Sequence, residues 1–228
     1  MQINYEDKNV EIVRAPGAAE AATFTIVQND HGRLVGFKLP LAGNPSWTVA
    51  YEDIGEITCL SKLQSPAGLV EEVEHKQEGH KLPEGGPYKT IPVVKTHTLK
   101  PGNQQPAIRT TYDYSEKNFF GYRDIKRWKR GEDNLYHVKD DYHYKATVSV
   151  EGGQTITYTY DKFHLMVEMH QKQNGKQITQ SVTYHTKNDV PFAAQCPQFQ
   201  LPKSVQTTCH TAARGPTRDE WTHHDFDE

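Results

Sequence analysis

The sequence lacks the usual marks of a disulfide framework, a structural zinc site and a secretory signal. Its 228 residues include only three cysteines, Cys59, Cys196 and Cys209, an odd number without C-x-x-C spacing. The N-terminus, MQINYEDKNVEIV, has no basic segment followed by an apolar one, and no run of about 18 apolar residues occurs. We therefore expect a soluble chain that would need another route for export.

Catalytic signatures and a strong net charge are missing as well. The sequence has no G-x-S-x-G, P-loop, G-x-G-x-x-G or H-E-x-x-H motif, which favours a protein that is not an enzyme and uses no cofactor. A net charge of −3 creates no overall field that would attract nucleic acid or an anionic membrane. Hydrophobic residues make up only 35%, yet 12 tyrosines and 8 phenylalanines indicate a folded protein with thin layers.

The sequence does contain a long alternation of apolar and hydroxyl-bearing residues. Between about 144 and 186, runs of β-formers are separated by turn signals, which predicts a four-strand antiparallel meander. Asn174-Gly175 predicts a two-residue hairpin loop, because a type I′ turn needs positive φ at both central residues. That loop places Met169 opposite Gln180.

A second hairpin is predicted at Gly152-Gly153. A two-residue loop would put the valines before it and the apolar residues after it on opposite faces, so we predict a three-residue loop with a bulge. In this register Val150 meets Ile156. The other face is then rich in hydroxyl groups, from Thr147, Ser149, Thr155, Thr157 and Thr159.

The fold class expected is all-β, a curved antiparallel sheet with little helix, because no segment repeats apolar residues at helical spacing over three turns. Segments rich in Gly, Pro and charge, 77–90 and 210–220, are expected to be loops. Further strands are predicted at about 23–28, 33–39, 46–51, 55–63, 68–76, 92–98 and 107–114.

A weak internal repeat accompanies the strands. Its pattern is an aromatic residue, three residues of any type, glycine, a charged residue and an aliphatic residue. YEDIGEI from Tyr51 fits in full, QNDHGRL at 28–34 lacks the aromatic residue, and YDKFHLM at 160–166 has His164 in place of glycine. Such a repeat is typical of stacked sheet units. The repeat anchors are Tyr51, Gly55, Tyr112, Asp113, Tyr160, Asp161, Phe226 and Asp227.

Four segments are expected from these patterns. They are a β-rich segment with degenerate repeat units at 1–80, a loop-rich connection at 81–105, an antiparallel meander at 106–210, and a linker at 211–228. The linker ends in Phe226-Asp227, which resembles the start of one more repeat unit. We therefore expect the chain to be a fragment of a longer protein.

Three side-chain clusters raise the possibility of chemistry, and each has a simpler structural interpretation. The set of zinc ligand types near the C-terminus has no standard spacing, so no metal is expected. In the acidic and histidine-containing cluster, the side chains cannot meet at one site without residues from elsewhere, because adjacent strand residues point to opposite faces. A basic cluster is followed by Glu132 and Asp133, so no nucleic acid is expected. The three clusters are Cys209, His210, His223, His224 and Asp225; Asp140, Asp141, Tyr142, His143 and Tyr144; and Tyr122, Arg123, Lys126, Arg127, Trp128, Lys129 and Arg130.

The Tyr160-Asp161 pair is expected to be structural. An aspartate at a turn hydrogen-bonds backbone amides two residues further on. A tyrosine before it can face a packed layer, so the pair needs no substrate to explain it.

Several segments taken together resemble one family. They are HGRLVGF, YEDIGEITCLSKLQSPAGLVEEVEH, TTYDYSEKNFFGYRDIKRW, DNLY, TYTYDKFHLMVE and LPKSVQTT, and the most specific are YSEKNFFGY, DNLY and YDKFHLM in this order. Over about residues 24–228 the sequence resembles the middle region of the B component of bacterial insecticidal Tc toxin complexes. That region belongs to the rearrangement-hotspot (Rhs), or YD-repeat, shell proteins.

The resemblance implies a non-enzymatic segment of a hollow shell of spiralling antiparallel strands that encloses and protects a toxic polypeptide. The implied partners are the rest of the shell protein, a C-component-like toxin subunit, and a pore-forming A component contacted through regions outside this sequence. The implied location is a secreted, extracellular toxin complex, without direct membrane insertion. The self-cleaving Asp-containing motif of the C component is not present, so no processing activity is implied.

Two other functions remain as alternatives at the level of sequence. One is a free-standing β-rich module that binds glycan or protein through exposed aromatics such as Trp47, Tyr122 and Trp128. The other is an enzyme, which would require a deep pocket with convergent carboxylates or histidines. For a shell segment we expect unpaired strand edges that associate with other chains.

Overall fold

Alternating apolar and polar residues form strands along most of the chain. The computed structural model describes residues 1–115, 127–136, 142–210 and 217–224. In these residues helix is limited to two 3₁₀ turns, at Asn134–Tyr136 and Phe192–Ala194. The prediction of an all-β fold with little helix is therefore confirmed.

The strands form one antiparallel sheet in which each strand lies beside the next one in the chain, and the sheet is not closed. The bounds of the strands are β1 Gln2–Glu6, β2 Asn9–Arg14, β3 Ala22–Gln28, β4 Leu34–Lys38, β5 Ser46–Ile54, β6 Ile57–Gln64, β7 Val70–Lys81, β8 Thr90–Lys100, β9 Ile108–Tyr114, β10 Tyr144–Val150, β11 Thr155–Tyr160, β12 Met166–Gln173, β13 Lys176–Tyr184, β14 Pro202–His210 and β15 Thr217–His223.

The strands predicted one by one correspond to β3 through β13. β1 and β2 lie in the segment expected to be β-rich and β14 in the expected meander, without individual bounds, whereas β15 was not predicted. The expected loop at 77–90 was partly wrong, because β7 continues to Lys81. Gly79 suggested a loop, but a Cβ at this position would overlap the Ile91 carbonyl oxygen of β8. Glycine in this strand therefore permits close approach of a neighbouring backbone.

Two expected linking segments also contain strands. The connection at 81–105, expected to be rich in loops, holds β8, and the linker at 211–228 holds β15, which also occupies part of the loop expected at 210–220. Both segments are charged, and charged residues can occupy the solvent face of an antiparallel strand. Composition alone therefore underestimated the extent of the sheet.

The chain divides into two units, with the division inside β7 and β8. The first unit is Met1–His75 with Thr96–Arg109, and the second is Lys76–Lys95 with Thr110–Glu228.

The first unit carries an apolar row across its first five strands. Phe24 stacks on Phe37 with ring centroids 6.0 Å apart. The members of this row are only half-buried or exposed, so this sheet face lacks a fully buried core in the described residues. In strand order they are Tyr5, Val10, Ile26, Phe37 and Trp47.

The second unit contains the core. Every hydrophobic side chain that is buried among the described residues belongs to it, and Phe163 is the largest side chain with almost no exposure. No helix in the described ranges has the length and apolar character needed to cross a membrane. The buried hydrophobic residues are Leu82, Val93, Tyr142, Tyr144, Phe163 and Val182.

The hairpin between β12 and β13 has the register predicted from its turn. Asn174 and Gly175 both have positive φ, 48° and 77°. Met169 lies opposite Gln180, as predicted.

The hairpin between β10 and β11 has the predicted loop length but a different register. The Gly153 N–H donates to Val150 O and the Val150 N–H donates to Gln154 O, both at 2.9 Å, so two residues oppose one as in a bulge. Val148, rather than Val150, lies opposite Ile156. The shift is two residues, so each side chain stays on its predicted face.

Candidate functional site

The Tyr160-Asp161 pair lies where β11 ends and the chain turns into β12. Asp161 Oδ1 accepts hydrogen bonds from the Phe163 and Leu165 N–H groups at 2.9 and 3.0 Å. The Asp161 N–H donates to Leu165 O, and the His164 N–H donates to Asp161 O, each at 3.0 Å. Asp161 thus acts as a cap that holds the turn closed.

The same turn occurs in the first unit at 28–34. Asn29 Oδ1 accepts from the His31 and Arg33 N–H groups at 3.0 Å each. The Asn29 N–H donates to Arg33 O and the Gly32 N–H to Asn29 O. We call the segments 28–34 and 160–166 the capped turns.

The capped turns explain why histidine replaces glycine in one repeat unit. Gly32 has φ of 71° and His164 has φ of 61°, so both occupy the left-handed region at the same place in the turn. Glycine adopts this conformation without steric cost, whereas histidine does not. His164 must therefore be held there by contacts of its side chain.

A tyrosine from a later strand binds the end of each capped turn. The Tyr51 hydroxyl donates to Leu34 O at 2.9 Å, and the Tyr184 hydroxyl donates to Met166 O at 2.8 Å. Leu34 and Met166 are the last residues of their capped turns, and each tyrosine lies at a register shift of its own strand. This arrangement occurs in both units and was not predicted.

The segment that fits the sequence repeat best does not form a capped turn. From Tyr51 the strand β5 continues to Ile54, which lies opposite Ile57, and Gly55, with φ of 63°, belongs to the hairpin between them. Tyr112 and Asp113 lie within β9, opposite Val148 and Thr147. Phe226 and Asp227 lie outside the described residues.

A related turn at 64–70 was missed by the sequence pattern. The Ser65 N–H donates to Leu69 O at 2.8 Å, the Gly68 N–H donates to Ser65 O at 3.1 Å, and Ser65 Oγ accepts from the Leu69 N–H at 3.1 Å. Gly68 has φ of 89°. The S-P-A-G sequence between two predicted strands was the available signal, because serine caps turns as asparagine and aspartate do.

The side chain of His164 is fixed by two hydrogen bonds in the second unit. Nε2 lies 3.0 Å from Leu135 O, and Nδ1 lies 3.1 Å from the Tyr144 hydroxyl. A carbonyl only accepts, so Nε2 carries the proton and Nδ1 accepts from the hydroxyl. Tyr144 also stacks on Tyr160, with ring centroids 5.1 Å apart.

Burial sets the protonation of these groups. It lowers the pKa of His164, which favours the neutral imidazole, and it raises the pKa of Tyr144 far above its ordinary value. Burial also raises the pKa of Asp161, while the hydrogen bonds from Leu165 and Phe163 act in the opposite direction. Both His164 ring nitrogens and Asp161 Oδ1 are engaged within this network, which gives it the chemistry of a buried structural joint.

A cleft of about 580 Å³ lies in the second unit beside the loop between β7 and β8. Its described lining is mostly apolar and holds one carboxylate, Glu84, with Lys81 and Lys89. The enzyme alternative requires carboxylates or histidines that converge. The described lining of this cleft supplies no such pair.

The structure separates the cluster of zinc ligand types. Cys209 lies opposite Arg218, whereas His223 lies opposite Ser204, five positions away along β14. At about 3.4 Å per residue this is roughly 17 Å. Within the described ranges no group of three His, Cys, Asp or Glu side chains could hold a metal ion, and Asp225 lies outside them.

The other two clusters are only partly described. Tyr142 and Tyr144 are buried and stack with centroids 5.7 Å apart. Lys129 Nζ lies 3.5 Å from Glu132 Oε1, so one cation of the basic cluster is paired with an acidic residue. The residues of these clusters outside the described ranges are Tyr122, Arg123, Lys126, Asp140 and Asp141.

On one face of β9 to β15, two adjacent rows of side chains are polar across all seven strands. We call this face the hydroxyl face. Thr147 Oγ1 lies 3.1 Å from Thr157 Oγ1, and the Thr208 hydroxyl donates to Asp219 Oδ1 at 2.6 Å. Its central row is Asp113, Thr147, Thr157, His170, Thr179, Thr208 and Asp219, and the next row is Thr111, Ser149, Thr155, Lys172, Gln177, His210 and Thr217.

The exposed aromatic residue of this face lies on β15. Trp221 is 57% exposed and lies opposite Gln206. Its ring is nearly parallel to that of His223, at 8°, with centroids 6.1 Å apart. By contrast, Trp47 and Trp128, which were expected to be exposed, are only partly accessible.

The geometry defines an open antiparallel meander with side-chain-capped turns and a hydroxyl face. Comparison of the sequence with family models and with curated proteins finds no match.

Proposed function

We propose that this chain is a non-enzymatic structural segment of a toxin-delivery shell of the Tc B-component, or YD-repeat, type. In this role it would help to enclose and protect a toxic polypeptide within a secreted bacterial complex. Its partners would be the rest of the shell and a C-component-like toxin subunit. The observation that carries the proposal is the hydroxyl face of β9 to β15.

The composition of the hydroxyl face suits the inner wall of a container. An enclosed, partly unfolded polypeptide exposes apolar side chains. Their binding to a wall is favourable only where they move out of water onto apolar surface. The two rows that cross Thr147 and Ser149 contain no aliphatic side chain and no Phe, Tyr or Trp. We therefore assign the hydroxyl face to the cavity.

The capped turns support the same proposal. A wall one sheet thick cannot rely on a deep core, so each strand needs local contacts that fix its register. Asn29 and Asp161 supply such contacts at the turns, and Tyr51 and Tyr184 connect later strands to them. Units that are fixed locally can be added side by side, as in other repeat proteins.

The proposal predicts that the hydroxyl face would bind unfolded chains if its threonine hydroxyls were replaced by methyl groups. The triple variant Thr147→Val, Thr157→Val, Thr179→Val keeps side-chain shape and β propensity but removes three hydroxyls. We expect it to bind a permanently unfolded protein, such as reduced and carboxymethylated lactalbumin, about tenfold more tightly than the wild type, which is about 1.4 kcal/mol. Sedimentation or fluorescence anisotropy would measure the affinity.

The matched control for this experiment replaces threonines on the opposite face. Thr207 and Thr222 lie on that face, and the variant Thr207→Val, Thr222→Val is expected to behave as the wild type. If the wild type already holds the unfolded chain as tightly as the triple variant does, the non-adhesive wall and this assignment of the face are wrong.

Trp221 favours glycan binding as a second candidate function. Its exposed ring beside Gln206 offers an aromatic platform next to an amide, a combination that suits the apolar face and the hydroxyls of a neutral sugar. For this function, titration with neutral oligosaccharides should change the tryptophan fluorescence, and Trp221→Ala should weaken binding at least about tenfold. Trp47→Phe is the control, and a response that survives Trp221→Ala would rule out this platform.

A further inference from the structure

We propose that β1 is an interaction surface through which two copies of this chain pair antiparallel about a two-fold axis at Asn4. In the described residues β1 has β2 as its strand partner, so its other edge presents unpaired backbone N–H and C=O groups. Tyr5 is 81% exposed, and Ile3 is also exposed. The inference concerns the first unit and does not depend on the proposed function.

The sequence of β1 is complementary to itself. With Asn4 opposite Asn4 of the second copy, Gln2 lies opposite Glu6 and Ile3 opposite Tyr5. All five residues of the strand are then paired, and no two like charges face each other. Aromatic and β-branched residues directly opposite each other stabilise antiparallel pairs.

The pairing also extends the apolar row of the first unit. Tyr5 lies opposite Val10 of β2, and Ile3 lies opposite Ile12. In the dimer, Ile3 of one copy would be flanked by its own Ile12 and by Tyr5 of the second copy. The two half-buried faces would thereby become one continuous surface, and the most exposed aromatic residue of the first unit would gain an apolar neighbour.

The opposite edge of the sheet lacks this complementarity. β15 has three adjacent charged residues, Arg218, Asp219 and Glu220. Antiparallel pairing of two β15 strands about their middle places Glu220 opposite Glu220, and a shift by one residue on each strand places Asp219 opposite Asp219. Charges on an edge strand oppose association, so β1 is the edge that the side chains leave open for a second copy.

The experiment uses a charge at the two-fold axis. Asn4→Asp places two carboxylates opposite each other, flanked by Glu11 of both copies, since Asn4 lies opposite Glu11 in β2. We expect a reversible dimer of the wild type in sedimentation velocity and at least a tenfold rise in its dissociation constant in Asn4→Asp. An equimolar mixture of Asn4→Asp and Asn4→Lys should restore the dimer as a mixed pair.

The mixed pair separates an effect on the interface from an effect on folding, because a misfolded Asn4→Asp variant would not be rescued by a lysine on another chain. Thr222→Asp, on β15, is the matched control and should dimerise as the wild type does. A monomeric wild type at all concentrations, open-ended oligomers in place of a dimer, or a dimer unaffected by Asn4→Asp would each overturn the proposal.

Discussion

Replacement of Phe163 by alanine is expected to lower the free energy of unfolding of the second unit by about 3–5 kcal/mol. Phe163 is 2% exposed and is the largest of the almost fully buried side chains. Its ring meets Phe199 edge to face at 6.1 Å, and Phe199 meets Phe192 at 5.5 Å. The described core is small, so the cavity would have few neighbours able to close it.

The charged neighbour of Phe163 adds to this expectation. Lys162 is buried, its Nζ lies 5.3 Å from the Phe163 ring centroid, and it donates a hydrogen bond to Asn188 O at 2.5 Å. Loss of the ring would remove a favourable cation–π contact from a cation that has little access to water. The effect therefore exceeds that of apolar burial alone.

Urea unfolding followed by intrinsic fluorescence measures the Phe163→Ala effect. Phe37→Ala is a suitable control, because Phe37 packs on Phe24 in the first unit and is only half-buried. We expect that control to cost about 1–2 kcal/mol. A loss below about 1 kcal/mol for Phe163→Ala would show that this residue does not anchor the core.

Asp161→Ala is expected to lower the free energy of unfolding by about 2–4 kcal/mol. It removes two hydrogen bonds from backbone N–H groups to a charged acceptor, and the Phe163 N–H would lose its partner in a buried position. Asp161→Asn should stay within about 1 kcal/mol of the wild type, because Asn29 shows that an amide oxygen closes the same turn. Equilibrium unfolding of the three proteins tests this order.

The difference in free energy of unfolding between Asp161→Asn and the wild type should depend on pH. Burial raises the pKa of Asp161 above its ordinary value of 3.8. The carboxylate is therefore protonated more readily in the folded chain than in the unfolded chain. The stability that this group contributes is therefore fully present below the ordinary pKa and is lost as the pH rises through the raised value. The asparagine variant lacks this loss.

Unfolding at about pH 3.5 and pH 7 measures this dependence. Relative to the wild type, Asp161→Asn should gain stability between the two values. The charge of Asp161 raises the pKa of His164, so Asp161→Asn lowers that pKa further, and this second change adds to the gain with the same sign. An Asn variant as unstable as the Ala variant, or a difference independent of pH, would contradict the role assigned to the carboxylate.

Local sequence signals predicted the middle of the fold well. Asn174-Gly175 determined both a turn and the register of β12 against β13, because positive φ at two adjacent residues permits few alternatives. The Gly152 hairpin was predicted less well. Its loop length followed from the alternation of faces, but the partner of Ile156 depended on how the bulge distributes its hydrogen bonds.

The capped turns show where a sequence repeat is a poor guide. YEDIGEI fits the pattern in full yet forms a hairpin, whereas YDKFHLM departs from it at His164 and forms the capped turn. The deciding factor is whether the second residue can accept hydrogen bonds from amides two and four residues later, as Asn29 and Asp161 do and Glu52 in β5 does not.

By itself the sequence determined that the chain is all-β, where most strands lie, and which residues share a face, because alternation with a period of two is a local property. The tertiary structure decided the rest. Only the packing of later elements shows that Tyr51 and Tyr184 bind the ends of earlier turns, that Leu135 and Tyr144 hold His164 in the left-handed region, and that Gly79 admits a neighbouring strand. These contacts join residues far apart in the chain, and no local pattern encodes which of them will meet.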